Sequence, residues 1–195
     1  MKIRKLIWNY RQKITGEGSA KNSHFIPIIK KSIPKDAITV IDVGCGRLEP
    51  ENPPSEDILI SCFSDPKFHV TGIDGFQKNI EWRKAHDPTG DFILSDVRDV
   101  DKLNKKFDVV VCNHVIEHFE KDESLELVKK LGLITNMVLI IGTPNGFVDT
   151  KYNVELHNNP LELHKCGWHP KEFQSMGYQT FEKKNAFIAI KKFQL

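Results

Sequence analysis

The stretch AITVIDVGCG (37–46) sets the tightest limit on how this chain folds. Residues 37–43 are apolar and β-branched on both faces. That describes a strand covered on both sides, as in a parallel sheet. It ends at Asp42, and Gly44 and Gly46 follow at once. The design recurs: FHVTGID (68–74) stops at Asp74, DFILSD (91–96) at Asp96, FDVVVCN (107–113) at Asn113, and MVLIIGT (137–143) at Thr143. Helical patterns separate most of these strands, at 24–33 with Ser23 as N-cap, at 56–63, 76–86 and 124–132. Such alternation predicts parallel pairing and an α/β architecture with helices on both faces. The tail departs from it. PKEFQSMG (170–177) reads as a short helix with Pro170 in first place. Residues 178–193 read as two strands around 183–185, an antiparallel hairpin. The expected fold is one α/β domain, a seven-stranded, mostly parallel sheet closed by that hairpin.

Composition excludes some classes. At 195 residues with 39% hydrophobic and 28% charged residues, the chain is an ordinary globular protein rather than a disordered one. A net charge of +2 is too mild to call for a nucleic-acid partner. Cys45, Cys62, Cys112 and Cys166 form no C-x-x-C pair and read as reduced thiols of a cytoplasmic protein. No apolar run approaches the roughly 18 residues of a membrane span. The start, MKIRKLIWNYRQK, is basic, with Ile3, Leu6, Ile7 and Trp8 interleaved. It reads as a surface helix, with a pocket lid or a peripheral membrane contact as the other uses. Residues 1–36 therefore form an N-terminal helical segment and 37–195 the main domain. Two proline- or polar-rich loops, 47–55 and 143–170, interrupt the periodic pattern.

Ligands of open α/β sheets bind beyond the carboxyl ends of the strands. Asp42, Asp74, Asp96 and Asn113 all fall there. Gly44 and Gly46 lack a Cβ, so the chain turns tightly and its amides can approach a ligand. A dinucleotide loop continues G-x-G-x-x-G, but the third position here is Glu49. A carboxylate there repels pyrophosphate. The turn suits a ligand with no phosphate and some positive charge. S-adenosylmethionine, with a sulfonium, an ammonium and one carboxylate, is such a ligand. Asp74 can accept ribose hydroxyls. Asp96 can accept the adenine amine, with the Val97 amide beside it and Phe76 packed on the ring.

These segments resemble the class I S-adenosylmethionine-dependent methyltransferases. VIDVGCG is similar to the family's first motif, HVTGIDGF to its acidic second, DFILSDV to its third and FDVVVCNHVIEHF to its fourth. VLIIGTPNG is similar to the strand and loop after it. The resemblance spans about four fifths of the chain. It implies a Rossmann-like fold and S-adenosyl-L-methionine as cofactor. HVIEHF, TPNG and LHKCGWHPKEFQSMGY resemble the small methyltransferases of the ubiquinone-biosynthesis and glycan-cluster type. By resemblance, Asp42, Gly44, Cys45 and Gly46 cradle the methionine part. Asp74, Gly75 and Phe76 hold ribose and adenine, Asp96 and Val97 hold adenine, and Asn113 and His114 lie by the sulfonium. Leu48 and Glu49 depart from the family, which often has a further glycine there.

HVIEH (114–118) also matches a zinc-protease signature, which requires a long helix and a further ligand. Here it follows directly on a buried strand, so no metal is expected. The spacings of His157, His164, Cys166 and His169 match no standard zinc pattern. Methyl transfer to a hydroxyl benefits from a base, and His118 and His114 are the candidates. Thr143, Asn145, His164 and Trp168 lie on segments that could line an acceptor pocket. The expected activity is methylation of a small-molecule or glycan-like hydroxyl. A non-catalytic S-adenosylmethionine-binding partner subunit and an NAD-dependent oxidoreductase are the alternatives.

Overall fold

A computed structural model describes residues 21–47, 54–87, 90–151, 154–155 and 158–193. The basic start (1–20), Leu48, Glu49 and His157 lie outside the described residues. The strands are β1 (Thr39–Val43), β2 (His69–Asp74), β3 (Gly90–Leu94), β4 (Phe107–Asn113), β5 (Thr135–Pro144), β6 (Gln179–Lys183) and β7 (Ala186–Lys192). They form one sheet in the order β3-β2-β1-β4-β5-β7-β6. β1 to β5 are parallel, and β7 enters antiparallel between β5 and β6. The expected Rossmann-like sheet and its hairpin are both present.

The alternation of side chains builds two cores. Val109 and Val111 of β4 face one side, and Phe107, Val110 and Cys112 the other. The first side is covered by α1 (Ile26–Ser32), α2 (Ile58–Phe63) and α3 (Gln77–His86), through Ile29, Leu59, Phe63 and Ile80. The second is covered by α4 (Lys121–Leu133) and α5 (Pro170–Ser175), through Leu127, Leu131 and Phe173. Covering both faces is what lets the middles of β1, β4 and β5 be apolar on both sides.

Helix boundaries moved where caps compete. Ser23 does not cap α1. It sits in a 3₁₀ turn (Asn22–His24), its N–H donating to Glu56 Oε2 at 3.2 Å, and Phe25 takes the N-cap place. α2 begins after Asp57, whose Oδ1 accepts from the Ile60 N–H at 3.0 Å. A 3₁₀ helix (Val97–Leu103) fills a stretch with no readable period.

The chain runs from β1 out to β3 and then returns to β4 on the other side of β1. The strand order therefore reverses between β1 and β4, and a crevice opens at their carboxyl ends. The described end of the N-terminal segment reaches this crevice: Asn22 Oδ1 accepts from Asn113 Nδ2 at 3.1 Å.

Phe173 is fully buried against Trp168, Tyr178 and Phe187. Phe173→Ala is expected to cost ~3–5 kcal/mol, read as a lower urea midpoint with an unchanged slope.

Candidate cofactor and acceptor site

The glycine turn joins β1 to the rest of the site. Gly44 has φ +78°, and a Cβ there would lie 2.2 Å from Val115 Cγ2, so both conformation and space exclude a side chain. Gly46 has φ +53°, with nothing of the described protein within 4 Å of its missing Cβ. That open side is the notch.

The turn's amides do not reach out as expected from the sequence. The N–H groups of Gly44 and Cys45 both donate to Ile73 O, at 2.8 and 3.0 Å. The Gly46 N–H donates to Asp74 Oδ2 at 2.9 Å. Three donors that could have met a phosphate are already paired inside the protein. The Cys45 thiol is buried in the first core and pushed well above its usual pKa by burial and the nearby acids.

Asp42 and Asp74 are both buried beside this turn, 6% and 7% exposed. Burial pushes Asp42 up to about 7, Arg83 opposes this, and Asp57 and Asp74 add to it. Asp74 accepts from the Gly46 N–H and, through Oδ1, from the Phe76 N–H at 2.7 Å. About half its lone-pair capacity is left for a ligand. Gly75 is exposed and Phe76 half-buried at the rim, with Leu161 of the late loop 3.1 Å from where a Gly75 Cβ would be.

Asp96 does not join the pair. It caps the 97–103 turn and takes the Arg98 guanidinium on both oxygens, at 2.6 to 3.1 Å. Those bonds to Arg98 hold its carboxyl below the usual range despite some burial. These bonds take up most of its acceptor sites, in a pair that stands half-exposed at the surface. Val97, the next residue, is buried in the second core.

A second polar centre lies past β4. HVIEH forms a 3₁₀ turn (Ile116–His118), not a long helix. His114 has φ +56° and its N–H donates to Gly142 O at 2.8 Å. Glu117 is 1% exposed. Its Oε1 accepts from His114 Nδ1 at 3.2 Å, and its Oε2 from Thr143 Oγ1 at 3.0 Å. Burial alone would raise Glu117, but the bond from His114 and the fields of His114 and His118 hold it below its ordinary pKa. His164 Nε2 stands 4.0 Å from Glu117 Oε1, and the His164 ring meets that of His118 edge-on at 4.9 Å. Burial pushes His164 down to about 4.

The late loop is tied to this turn. Lys165 and Cys166 donate their N–H groups to Glu117 O, at 2.8 and 3.2 Å. Folding therefore assembles what spacing does not show: ligating atoms of Glu117, His118 and His164 lie within 4.8 Å of one another. Among the described residues this trio is the one group that could hold a metal ion.

The other expected acceptor residues separate. Thr143 is buried and serves Glu117 rather than a pocket. Asn145 faces the hairpin and His169, bonded to Glu182 Oε2 at 3.4 Å and His169 Nδ1 at 3.0 Å. Trp168 is a core residue, 1% exposed, against Phe173 and under Lys121 Nζ at 3.3 Å. Two buried charged residues at this edge are not legible in the sequence. Glu117 stood unread inside a histidine motif. Arg83 lies on a polar helix whose pattern gives no hint of burial.

A Rossmann-like sheet with an acid-lined glycine turn at its switch point defines the class of nucleoside-cofactor methyltransferase folds. A model of the methyltransferase domain matches residues 20–182. The chain is 30% identical over 139 residues to the ubiquinone biosynthesis O-methyltransferase of Rickettsia conorii, covering 66% of this chain and 44% of that one. It spans about half the length of the curated relatives it matches. The N-terminal domain of EvdMO1, solved with S-adenosylhomocysteine bound, superposes with a TM-score of 0.63 at 12% identity, covering 90% of this chain and 82% of that one. The magnesium protoporphyrin IX methyltransferase of Synechocystis PCC 6803 gives 0.57 at 15% identity, over 96% and 94%. The chain belongs to the class I S-adenosylmethionine-dependent methyltransferase family.

Asp42 gives a pH prediction. An acid raised on folding binds its proton in the native state where the unfolded chain has lost it, so its contribution to stability falls as pH rises from about 4 to about 7. Asp42→Asn lacks this loss. It should gain on the parent by ~2–4 kcal/mol across that window, measured by urea unfolding; a constant difference from pH 4 to 7 would refute the assignment.

Proposed function

We propose that this chain moves a methyl group from S-adenosylmethionine to a hydroxyl of a small-molecule or glycan-like acceptor. One observation carries the cofactor reading: two buried acids flank a glycine turn whose amides are already paired. Such a notch disfavours a pyrophosphate and favours a ligand bearing cations. It argues against the nicotinamide alternative for the same reason. Asp42, Gly44 and Gly46 hold the methionine part, with its ammonium near Asp42. Asp74 accepts ribose hydroxyls on its remaining lone pairs. Phe76 packs on adenine, and the Val97 amide meets the ring. Asn113 and His114, at the end of β4, face the sulfonium.

The transfer is an in-line displacement at a carbon already activated by sulfur, so alignment and exclusion of water supply much of the rate. The acceptor hydroxyl still has to lose a proton. His114 is the better placed base. Its Nδ1 is held by Glu117, and its ring is partly open to solvent, 41% exposed. A carboxylate holding one ring nitrogen fixes the tautomer and leaves the other nitrogen to take the proton. Thr143 fixes Glu117 in turn. The O-methyltransferase relatives support a hydroxyl acceptor.

One observation favours a metal-assisted variant. His118 Nε2 bonds to His114 O at 3.0 Å, which makes it the donor and leaves Nδ1 a lone pair. Nδ1 is buried without a hydrogen-bond partner among the described residues. With neutral His164 and ionised Glu117 it completes a donor set for a divalent cation such as zinc. A cation there would lower the acceptor hydroxyl's pKa in place of the base.

Calorimetry should give saturable binding of S-adenosylmethionine and S-adenosylhomocysteine and none of NAD. Affinity for S-adenosylmethionine should rise as pH climbs through about 7, because Asp42 ionises there. Asp42→Asn should lose both the affinity and its pH dependence. With labelled methyl donor and a hydroxyl acceptor, His114→Gln should cut turnover by ~10²-fold, well beyond any loss of cofactor affinity measured in the same variant. Turnover lost on dialysis against a chelator and restored by zinc or magnesium selects the metal-assisted variant. Turnover unchanged by the chelator selects the base. Cofactor binding with no product from any acceptor would leave the partner-subunit alternative standing.

A further inference from the structure

Arg83 projects from the middle of α3 and is 3% exposed. Burying a guanidinium is costly unless every donor and its charge are matched. Its partners explain the burial. Nη2 bonds to Asp57 Oδ2 at 2.7 Å, and Nη1 lies 3.4 Å from Asp87 Oδ2. The remaining donations go to the backbone of the glycine turn: Nη2 to Cys45 O at 2.6 Å and Nε to Gly46 O at 3.0 Å. One side chain thus joins the first turn of α2, the end of α3 and two consecutive carbonyls beside the notch.

Two carbonyls held by a rigid planar fork cannot rotate independently. Each peptide is planar, so fixing the Cys45 carbonyl also fixes the Gly46 N–H on the opposite side. That N–H is the one that meets Asp74 Oδ2. The guanidinium therefore sets the orientation of the Asp74 carboxylate through the turn. Glycine makes such a constraint necessary. Gly46, with its open side and its freedom in φ, would otherwise sample many shapes, and a ligand would bear the ordering entropy on binding.

We propose that Arg83 is the positioning residue of the cofactor notch, holding the glycine turn and, through it, Asp74 in the ligand-bearing arrangement before the ligand arrives. This rests on the reading of that notch as an S-adenosylmethionine site. Arg83 touches no cofactor atom in this account; it acts through Cys45, Gly46 and Asp74. It also neutralises part of the acid cluster. The two roles separate by chemistry. A lysine keeps the charge, but its single ammonium cannot span two carbonyls and two acids in one plane.

The experiment compares the parent with Arg83→Lys and Arg83→Met, titrating S-adenosylmethionine and its neutral analogue S-adenosylhomocysteine by calorimetry. Circular dichroism and thermal unfolding report folding. A positioning role predicts about a tenfold or greater loss of affinity in both variants, equal for the two ligands, because the same turn and the same ribose acceptor are displaced. A purely electrostatic role predicts rescue by lysine. It also predicts, in Arg83→Met, a gain for the cationic ligand over the neutral one. Either of those results overturns the proposal, as does unchanged affinity in a folded variant. If Arg83→Met does not fold, Arg83→Lys alone decides, by loss or retention of affinity. Absence of binding in the parent would instead strike the cofactor reading itself.

Discussion

A parallel sheet covered on both faces leaves one place for polar chemistry, the carboxyl edge of its strands. Above and below the sheet, β1, β4 and β5 meet a packed core. The acids that end β1 and β2 are consequences of this constraint. So is the Glu117 cluster, which begins where β4 stops. An α/β chain must gather its polar groups there or leave them unpaired among apolar side chains. The two cores also make the edge rigid, which lets small groups such as Gly44 act by shape. Its φ and its contact with Val115 admit no alternative residue.

Two polar centres share that edge, and they solve the problem of buried charge differently. Around Asp42, Asp74, Asp57 and Asp87, the counter-charge is a single permanent cation, Arg83. Around Glu117 it is a set of imidazoles and a hydroxyl, with no lysine or arginine paired to that carboxylate among the described residues. The first sets one permanent cation, Arg83, against acids of which Asp42 is raised to about 7, and it is the candidate binding notch. The second gathers groups that could ligate a cation and is the candidate reacting end on the proposed reading. The late loop joins the two, since it donates to Glu117 O and lays Leu161 over Gly75.

The sequence carried the fold well because its signals were local and repeated. Strand, acid, helix, strand is a pattern of neighbours, and β-branched runs covered on both faces leave little choice of architecture. Asp42 and Asp74 were legible for the same reason: each lies at or next to the end of its own strand. What failed was long-range. Arg83 and Cys45 are 38 residues apart yet bonded. His164 meets Glu117 only because the loop before α5 folds back across β4. Trp168 and Thr143 looked available because they lie on a polar loop and a strand end, but closure of that loop buries both. Asp96 matched a pattern of position but not of partner, since Arg98, two residues on, occupies it. Local sequence tells where a polar residue stands; it does not tell which neighbour claims it first.

The paired amides of the glycine turn bear most directly on ligand choice. A phosphate-binding turn presents free N–H groups at a helix start, so its affinity comes from the backbone. Here the backbone donors point back at Ile73 O and Asp74. The turn contributes absence of side chains instead, beside two buried acids. On the proposed reading, a ligand would gain there by filling the space beside Gly46 and by supplying positive charge near Asp42. This reverses the electrostatic demand made by a dinucleotide without altering the fold that carries the turn. On the proposed reading, the sign of the notch, rather than the glycine spacing, separates a sulfonium nucleoside from a pyrophosphate on the same architecture.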